Sequence, residues 1–409
     1  MGETVLERME RIGAKEKIAS FMAKEKMPYD FKKNYARIRA MEFEAECGRR
    51  NLNTHVSVGG LDSIVLFLFL NKVVKLDVPG ISVSYLEDRS IQQVHKALGL
   101  DLLQSAIRYV DENGVKHRWA KPAIIQEFGF PVLSKEIAAK IELLQNPTEK
   151  NKTVRHAIIT GETGEYGGFQ KDSRMKLAQK WLEKFGGYEN EAEGTCYGCP
   201  NFKVSSRCCY YLKEKPCDDW AREHNSVPYL GLMASEGGRR AKSLRVNGCN
   251  YFGESVIRSA PFAIFHRDDL LRLALEMDEK WKAEWRDEYF KKGVKEGRFS
   301  SSFQMPESIV PPIYGEIIQD EYGILHTTGA QRTGCSMCGF GIHMEKRPHR
   351  FDQLRERNVK EWDYWMYRCV TDKETGEQYG WGRVLDYIGV GWENAPDTAC
   401  VGQYSMFDQ

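Results

Sequence analysis

Thr54-His55-Val56-Ser57-Val58-Gly59-Gly60-Leu61-Asp62-Ser63-Ile64-Val65-Leu66 is the stretch that decides how this chain folds. Alternating β-formers run into a Gly-Gly turn, and an apolar helix begins behind it, with Asp62 or Ser63 placed to cap it. Glycines let a backbone approach a ligand closely, and amides at the positive end of a helix hold an anion. A Gly-Gly pair alone commonly just reverses the chain. The strand before it and the Asp-Ser after it make it a candidate phosphate cradle of Ser57, Gly59, Gly60, Asp62 and Ser63.

Outward from this stretch, residues 81–85 read as a second strand and 90–98 as a helix. Residues 123–125 and 131–134 are expected to continue the strands, and 135–144 to form an amphipathic helix. Alternation of this kind predicts an α/β fold, a doubly wound, mostly parallel sheet with ligands beyond its C-terminal strand ends. Residues 229–234 read as a further core strand. It delivers Ser235-Glu236-Gly237-Gly238-Arg239-Arg240 to the same edge, a polar, basic loop suited to an anion, with a solvated turn as the bland alternative. Residues 1–49 read as a helical arm in which Phe31, Tyr35, Ile38, Met41 and Ala45 recur at helix-like spacing, a cover for the domain edge. The expected division is therefore the arm 1–49, a nucleotide-binding α/β domain 50–275 with an insertion at about 145–200, and a helical C-terminal region 276–409. Within the insertion, Thr160-Gly161-Glu162-Thr163-Gly164 reads as a surface turn.

The 409 residues are 42% hydrophobic and 29% charged with a formal net charge of +1, so no global field points to nucleic acid or an anionic membrane. The N-terminus lacks the apolar run of a signal peptide, and the apolar run 64–70 is too short to span a bilayer. The expectation is a cytoplasmic protein without a membrane partner. Eleven cysteines in a reducing compartment point to metal or redox use rather than to disulfides. Adjacent Cys208-Cys209 and the distant Cys335-x-x-Cys338 form one candidate four-thiolate set. Cys196, Cys199, Cys335 and Cys338 form another, whose paired Cys-x-x-Cys spacing suits zinc. Packing as small core hydrophobes is the third reading. The basic run Lys346, Arg347, His349, Arg350, Arg355 and Arg357 is either a solvated helix face or a hold on a phosphate-bearing partner such as tRNA or DNA.

Taken in order, these motifs resemble the phosphoadenosine phosphosulfate (PAPS) reductase family of the PP-loop, or adenine nucleotide α-hydrolase-like, superfamily. The resemblance is nearest to a PAPS-reductase-like branch found on bacterial mobile elements, and it covers roughly residues 50 to 390. Val58-Gly59-Gly60-Leu61-Asp62-Ser63 matches the loop Ser-Gly-Gly-x-Asp-Ser, except that Val58 removes a hydroxyl expected to face pyrophosphate, at a cost on the order of 1 kcal/mol. Cys208-Cys209 with Lys213 and Pro216 is similar to the family's Cys-Cys…Lys-Pro segment, and Gly334-Cys335-Ser336-Met337-Cys338 to its Gly-Cys-x-x-Cys segment. Ser235-Glu236 with Arg240 looks like an imperfect copy of its anion loop, and Tyr314 like the tyrosine that precedes the cluster segment. The family's C-terminal Glu-Cys-Gly-x-His motif has no counterpart around Cys400.

The resemblance implies ATP or another adenine nucleotide on Gly59, Gly60, Asp62 and Ser63. It also implies a 4Fe-4S cluster on Cys208, Cys209, Cys335 and Cys338, with Lys213, Lys215, Arg239 and Arg240 neutralising developing negative charge. The activity implied first is adenylation of an acceptor followed by sulfur insertion, with nucleic acid as a candidate acceptor and a cysteine desulfurase as a candidate sulfur donor. Reduction of adenosine phosphosulfate (APS) or PAPS is the second, and a non-catalytic nucleotide- or nucleic-acid-binding protein with a structural metal the third. A homodimer is compatible with all three.

Overall fold

The computed structural model describes residues 5–162, 175–190, 196–331, 333–335 and 337–394, with backbone alone for 5–12, 14 and 239. The chain forms two units, each assembled from two segments: 1–104 with 216–335, and 105–215 with 336–409. The helical arm shares the first unit with the sheet, and most of the expected insertion shares the second with the C-terminal segment.

The first unit is built on a six-stranded sheet. In chain order its strands are β1 (Asn53–Ser57), β2 (Gly80–Ser82), β3 (Asp101–Leu102), β4 (Ser226–Tyr229), β5 (Asn250–Phe252) and β6 (Ile257–Ser259). Their spatial order is β3-β2-β1-β4-β6-β5, parallel throughout except for the edge strand β5. In β1, Val56 lies opposite both Gly80 and Tyr229, so the central strand is covered on both edges. Its middle residues are buried, as expected of a strand at the heart of a parallel sheet.

The helices α1 (Val5–Glu25), α2 (Tyr29–Arg49), α3 (Leu61–Leu68), α4 (Arg89–Leu98), α5 (Gly238–Asn247), α6 (Arg267–Lys280) and α7 (Arg286–Lys295) belong to the same unit. α3 is apolar on nearly every side and is buried accordingly. α4 starts where the Asp88 carboxylate accepts from Ser90 N–H at 2.9 Å and stops at Gly99, whose φ of 71° suits glycine. Its buried stripe of Ile91, Val94, His95 and Leu98 has helical period, and a histidine lies within it.

Four sequence expectations change. The strands read over 81–85 and 229–234 lie earlier, at Gly80–Ser82 and Ser226–Tyr229, and each is followed by a 3-10 turn, Ser84–Leu86 and Ala234–Glu236. Residues 123–125 lie in a helix, Lys121–Phe128, not a strand. Pro122 supplies a preset φ at the helix start, and Ile124 and Ile125 are its buried pair. Val132–Leu133 is a strand of two residues that pairs with Gly339–Phe340 in the second unit, not with the main sheet. The second unit has its own apolar core, centred on Phe130, Phe185, Phe351 and Trp381. Among the described residues no helix is long and apolar enough to cross a membrane.

Candidate nucleotide site and thiol region

The strand order reverses between β1 and β4: the chain leaves β1 toward β2 and β3 on one side, while β4 leads to β6 on the other. A crevice opens at such a switch point beyond the C-terminal strand ends. The segment after β1 is Val58-Gly59-Gly60, and the segment after β4 runs through Gly231 to the Ser235-Glu236 turn. The two meet at Gly231, where a Cβ would come within 3.0 Å of the Asp62 carbonyl oxygen.

Every turn of the glycine loop is pinned. The Ser63 hydroxyl accepts from Gly59 N–H at 2.8 Å and donates to the Gly60 carbonyl at 2.9 Å. The Leu61 amide, at the positive end of α3, donates to the Tyr314 hydroxyl at 2.9 Å. Tyr314 also bonds Thr333 Oγ1 at 2.9 Å, and a Cβ on Gly60 would sit 2.5 Å from the phenol oxygen. Burial pushes the Tyr314 phenol pKa up, with the Asp62 carboxylate acting in the same direction, so the group is a neutral donor at ordinary pH. From below, His95 Nε2 meets the Gly59 carbonyl at 2.7 Å, while Nδ1 meets Ser84 Oγ at 3.0 Å and Ser82 Oγ at 3.2 Å. A carbonyl can only accept, so Nε2 carries a proton, and in the neutral ring Nδ1 then accepts from the serines.

Asp62 forms an ion pair with Arg267, which also donates to the Gln331 carbonyl at 3.2 Å. Ser235 donates to the Phe265 carbonyl at 2.9 Å, two residues before that arginine. Thus Gly59, Gly60, Asp62 and Ser63 come together with Arg267, and the Ser235 turn is tied to the segment that carries it. Arg240 is exposed, 3.9 Å from Glu236. Lys213 and Lys215 belong to the second unit, both half-buried. The Arg239 side chain lies outside the described residues. Val58, expected to leave a hydroxyl missing from the loop, is 4% exposed and packs in the apolar core of the unit. Ser57, read as part of the cradle, is the last residue of β1 and half-buried. His95, Arg267 and Thr333 were not anticipated. The legible signal was a histidine on the apolar stripe of α4 and a basic residue opening the helix after Ala260-Pro261-Phe262. A cleft of about 900 Å³ in the same unit lies between α4, α7 and residues 303–312, and no loop residue lines it.

The chain matches no family model, no curated protein and no solved structure.

In the second unit, Cys208 is buried and Cys209 half-buried on a short helix, Arg207–Cys209, that continues as a π-helical turn. Phe130 bridges Val204 in parallel, and Val132–Leu133 pairs with Gly339–Phe340. Residues 130–133 are thereby flanked by the two chain segments that carry Cys208-Cys209 and Cys338. Burial alone would lower the Lys135 pKa, but the Cys209 thiol and the Glu214 carboxylate, both hydrogen-bonded to it, raise it overall. Cys196 and Cys199 are exposed. Cys335 is the last residue assigned to the first unit. Among the described residues no three His, Cys, Asp or Glu side chains converge as metal ligands. Soft thiols suit iron or zinc by chemistry. Cys400, Arg332 and Ser336 lie outside the described residues.

The basic run is largely spent on its own fold. Arg347 makes a two-pronged pair with Asp352 at 2.6 and 3.1 Å, and Arg350 pairs with Glu345. His349 is buried and caps the helix Arg350–Arg357. Arg355 donates to the Glu393 carbonyl at 2.8 Å and lies over the Trp362 ring.

Proposed function

We propose that the first unit binds ATP or a related adenine nucleotide with its phosphates at the Gly59-Gly60 loop, in a PP-loop architecture, and uses it for sulfur chemistry. The observation that carries this is the meeting of the Gly59–Ser63 loop and the Ser235 turn at the reversal of strand order, with Arg267 as a cation beside Asp62. The positive end of α3 and the Arg267 guanidinium complement phosphate charge, and a rotation of the Tyr314 hydroxyl away from Leu61 and Thr333 would free both the Leu61 amide and the phenol to donate. An acceptor oxygen would attack the α-phosphorus and pyrophosphate would leave. A sulfur nucleophile would then displace AMP from the adenylated carbon. The setting proposed is a cytoplasmic enzyme with nucleic acid as one candidate acceptor.

The 4Fe-4S cluster on Cys208, Cys209, Cys335 and Cys338 is proposed from the sequence motifs, not from converging side chains. Such a group would supply electron transfer or hold a sulfur beside the nucleotide. Zinc on Cys196, Cys199, Cys335 and Cys338 is its competitor.

Anaerobically purified protein should bind ATP in titration calorimetry and release AMP and pyrophosphate when an acceptor is supplied. Sulfite released from APS or PAPS with a thiol donor would select the reductase reading instead. No binding of ATP, APS or PAPS at millimolar concentration would sink both. Iron and acid-labile sulfide measured in the same sample decide the cluster; a colourless protein with stoichiometric zinc rejects it.

A further inference from the structure

Helix α2 has apolar residues on two sides. Ala36, Ala40, Phe43 and Cys47 recur at spacings of four and three and face the core. That face is fastened by polar contacts too: the Lys32 ammonium meets Asp269 at 2.7 Å, and the Ala40 carbonyl accepts from the Tyr229 hydroxyl at 2.9 Å. A second row, Phe31, Ile38, Met41 and Ala45, follows spacings of seven, three and four on the opposite side. Phe31 is 38% exposed, and Ile38 and Met41 are each 49% exposed. The Phe31 ring stacks on Tyr35, which stiffens the start of this row. A helix apolar on two opposite faces is normally covered on both.

The outer row has the pattern of a coiled-coil seam. With Phe31, Ile38 and Ala45 as the a positions, Asn34 and Met41 are d positions, and the flanking g and e positions include Arg37 and Glu42. In a parallel, in-register pair of helices, the residue at g faces the residue five positions later on the partner helix. Arg37 would then face Glu42 of a second copy, twice by symmetry. Both are exposed. An antiparallel pair would instead offer Arg37 the carboxylate of Glu44, which is already taken by Thr54 Oγ1 at 2.8 Å and the Tyr229 hydroxyl at 3.0 Å.

We propose that α2 is a homodimerisation helix that pairs in parallel with α2 of a second copy of this chain through Phe31, Ile38 and Met41, with Arg37–Glu42 pairs on its flanks. One seam of this length falls short of the about 800 Å² per partner of a standard interface, so the dimer should dissociate in the micromolar range. The proposal is independent of the nucleotide reading.

Sedimentation of the full chain across the micromolar range tests it. The wild-type protein should show a reversible monomer–dimer equilibrium. Ile38→Glu combined with Met41→Glu should be monomeric throughout with an unchanged circular dichroism spectrum, because both positions face solvent in the monomer. Arg37→Glu should weaken the dimer about tenfold, and Arg37→Glu with Glu42→Arg should restore it. A wild-type monomer at every concentration, or a dimer indifferent to Ile38→Glu with Met41→Glu, overturns the proposal. A swap that fails to restore what Arg37→Glu lost overturns the parallel register.

Discussion

The Gly59–Ser63 loop and the 345–357 run both advertise an anion in sequence, yet the structure treats them in opposite ways. The loop carries no lysine or arginine of its own, and it sits at the N-terminal end of a buried helix where the order of strands reverses. The run carries five cations and a histidine, but Glu345 and Asp352 are folded against two of them, and carbonyl oxygens take others. Counting charge along the chain overrates the run and underrates the loop. What matters is whether a carboxylate is in place to cancel the cation. At the loop, too, Asp62 answers Arg267, which is about as exposed as Arg347; the difference is that Asp62 keeps about a quarter of its surface in water whereas Asp352 is buried, so Asp62 can turn aside for an incoming phosphate.

The largest effect should come from filling the loop. Gly60→Val would drive a side chain into the Tyr314 hydroxyl and Thr333, and nucleotide affinity should fall at least roughly a hundredfold, about 3 kcal/mol. Calorimetric titration with ATP checks it; unchanged affinity would remove the loop from the site. Next in size is His95→Ala. It strands the Gly59 carbonyl and two serine hydroxyls in a fully buried place, for a loss of about 2–4 kcal/mol in denaturant unfolding. If His95 positions the loop, His95→Gln should recover nucleotide affinity better than it recovers stability, since its amide can still reach the carbonyl. Recovery of the two in step would leave the histidine a packing residue. In the basic run the prediction is reversed. Arg350→Gln should lower the thermal midpoint by a few degrees and leave nucleic-acid affinity alone. A steep loss of nucleic-acid binding at constant stability would restore the run as a docking surface.

How far the fold was legible follows from the same physics. β1, α3, α4 and α2 were readable because period and caps are local: Asp88 before α4, Gly99 after it, alternation in Thr54–Val58. Residues 123–125 misled because a short β-branched run has no period of its own, and Pro122 decided for helix. Within the site, the glycine loop and Asp62 were legible as a motif. His95, Arg267 and Thr333 were not, because they reach the loop from 36, 205 and more than 250 residues away, and no local pattern encodes such a meeting. The thiols illustrate the converse: Cys-Cys and Cys-x-x-Cys are conspicuous in sequence, but spacing along the chain does not say whether four sulfurs converge.

The run's own anchor is set apart by its response to pH. Asp352 is buried, and although burial opposes its charge, hydrogen bonds from His349 and Arg347 hold its pKa down at about 2. The carboxyl is thus more acidic folded than unfolded, where about 3.9 is ordinary. Between those values the unfolded chain binds the proton and the native one does not, so stability rises with pH across that window. The contribution is complete above about pH 4 and is lost as pH falls through 2, for roughly 2 kcal/mol. Asp352→Asn should lower the unfolding free energy by about that amount at neutral pH and flatten its slope between pH 4 and 2. The same slope in both proteins would mean that Asp352 is not what holds Arg347 and His349 in place, and the run's cations would then be freer than their geometry indicates.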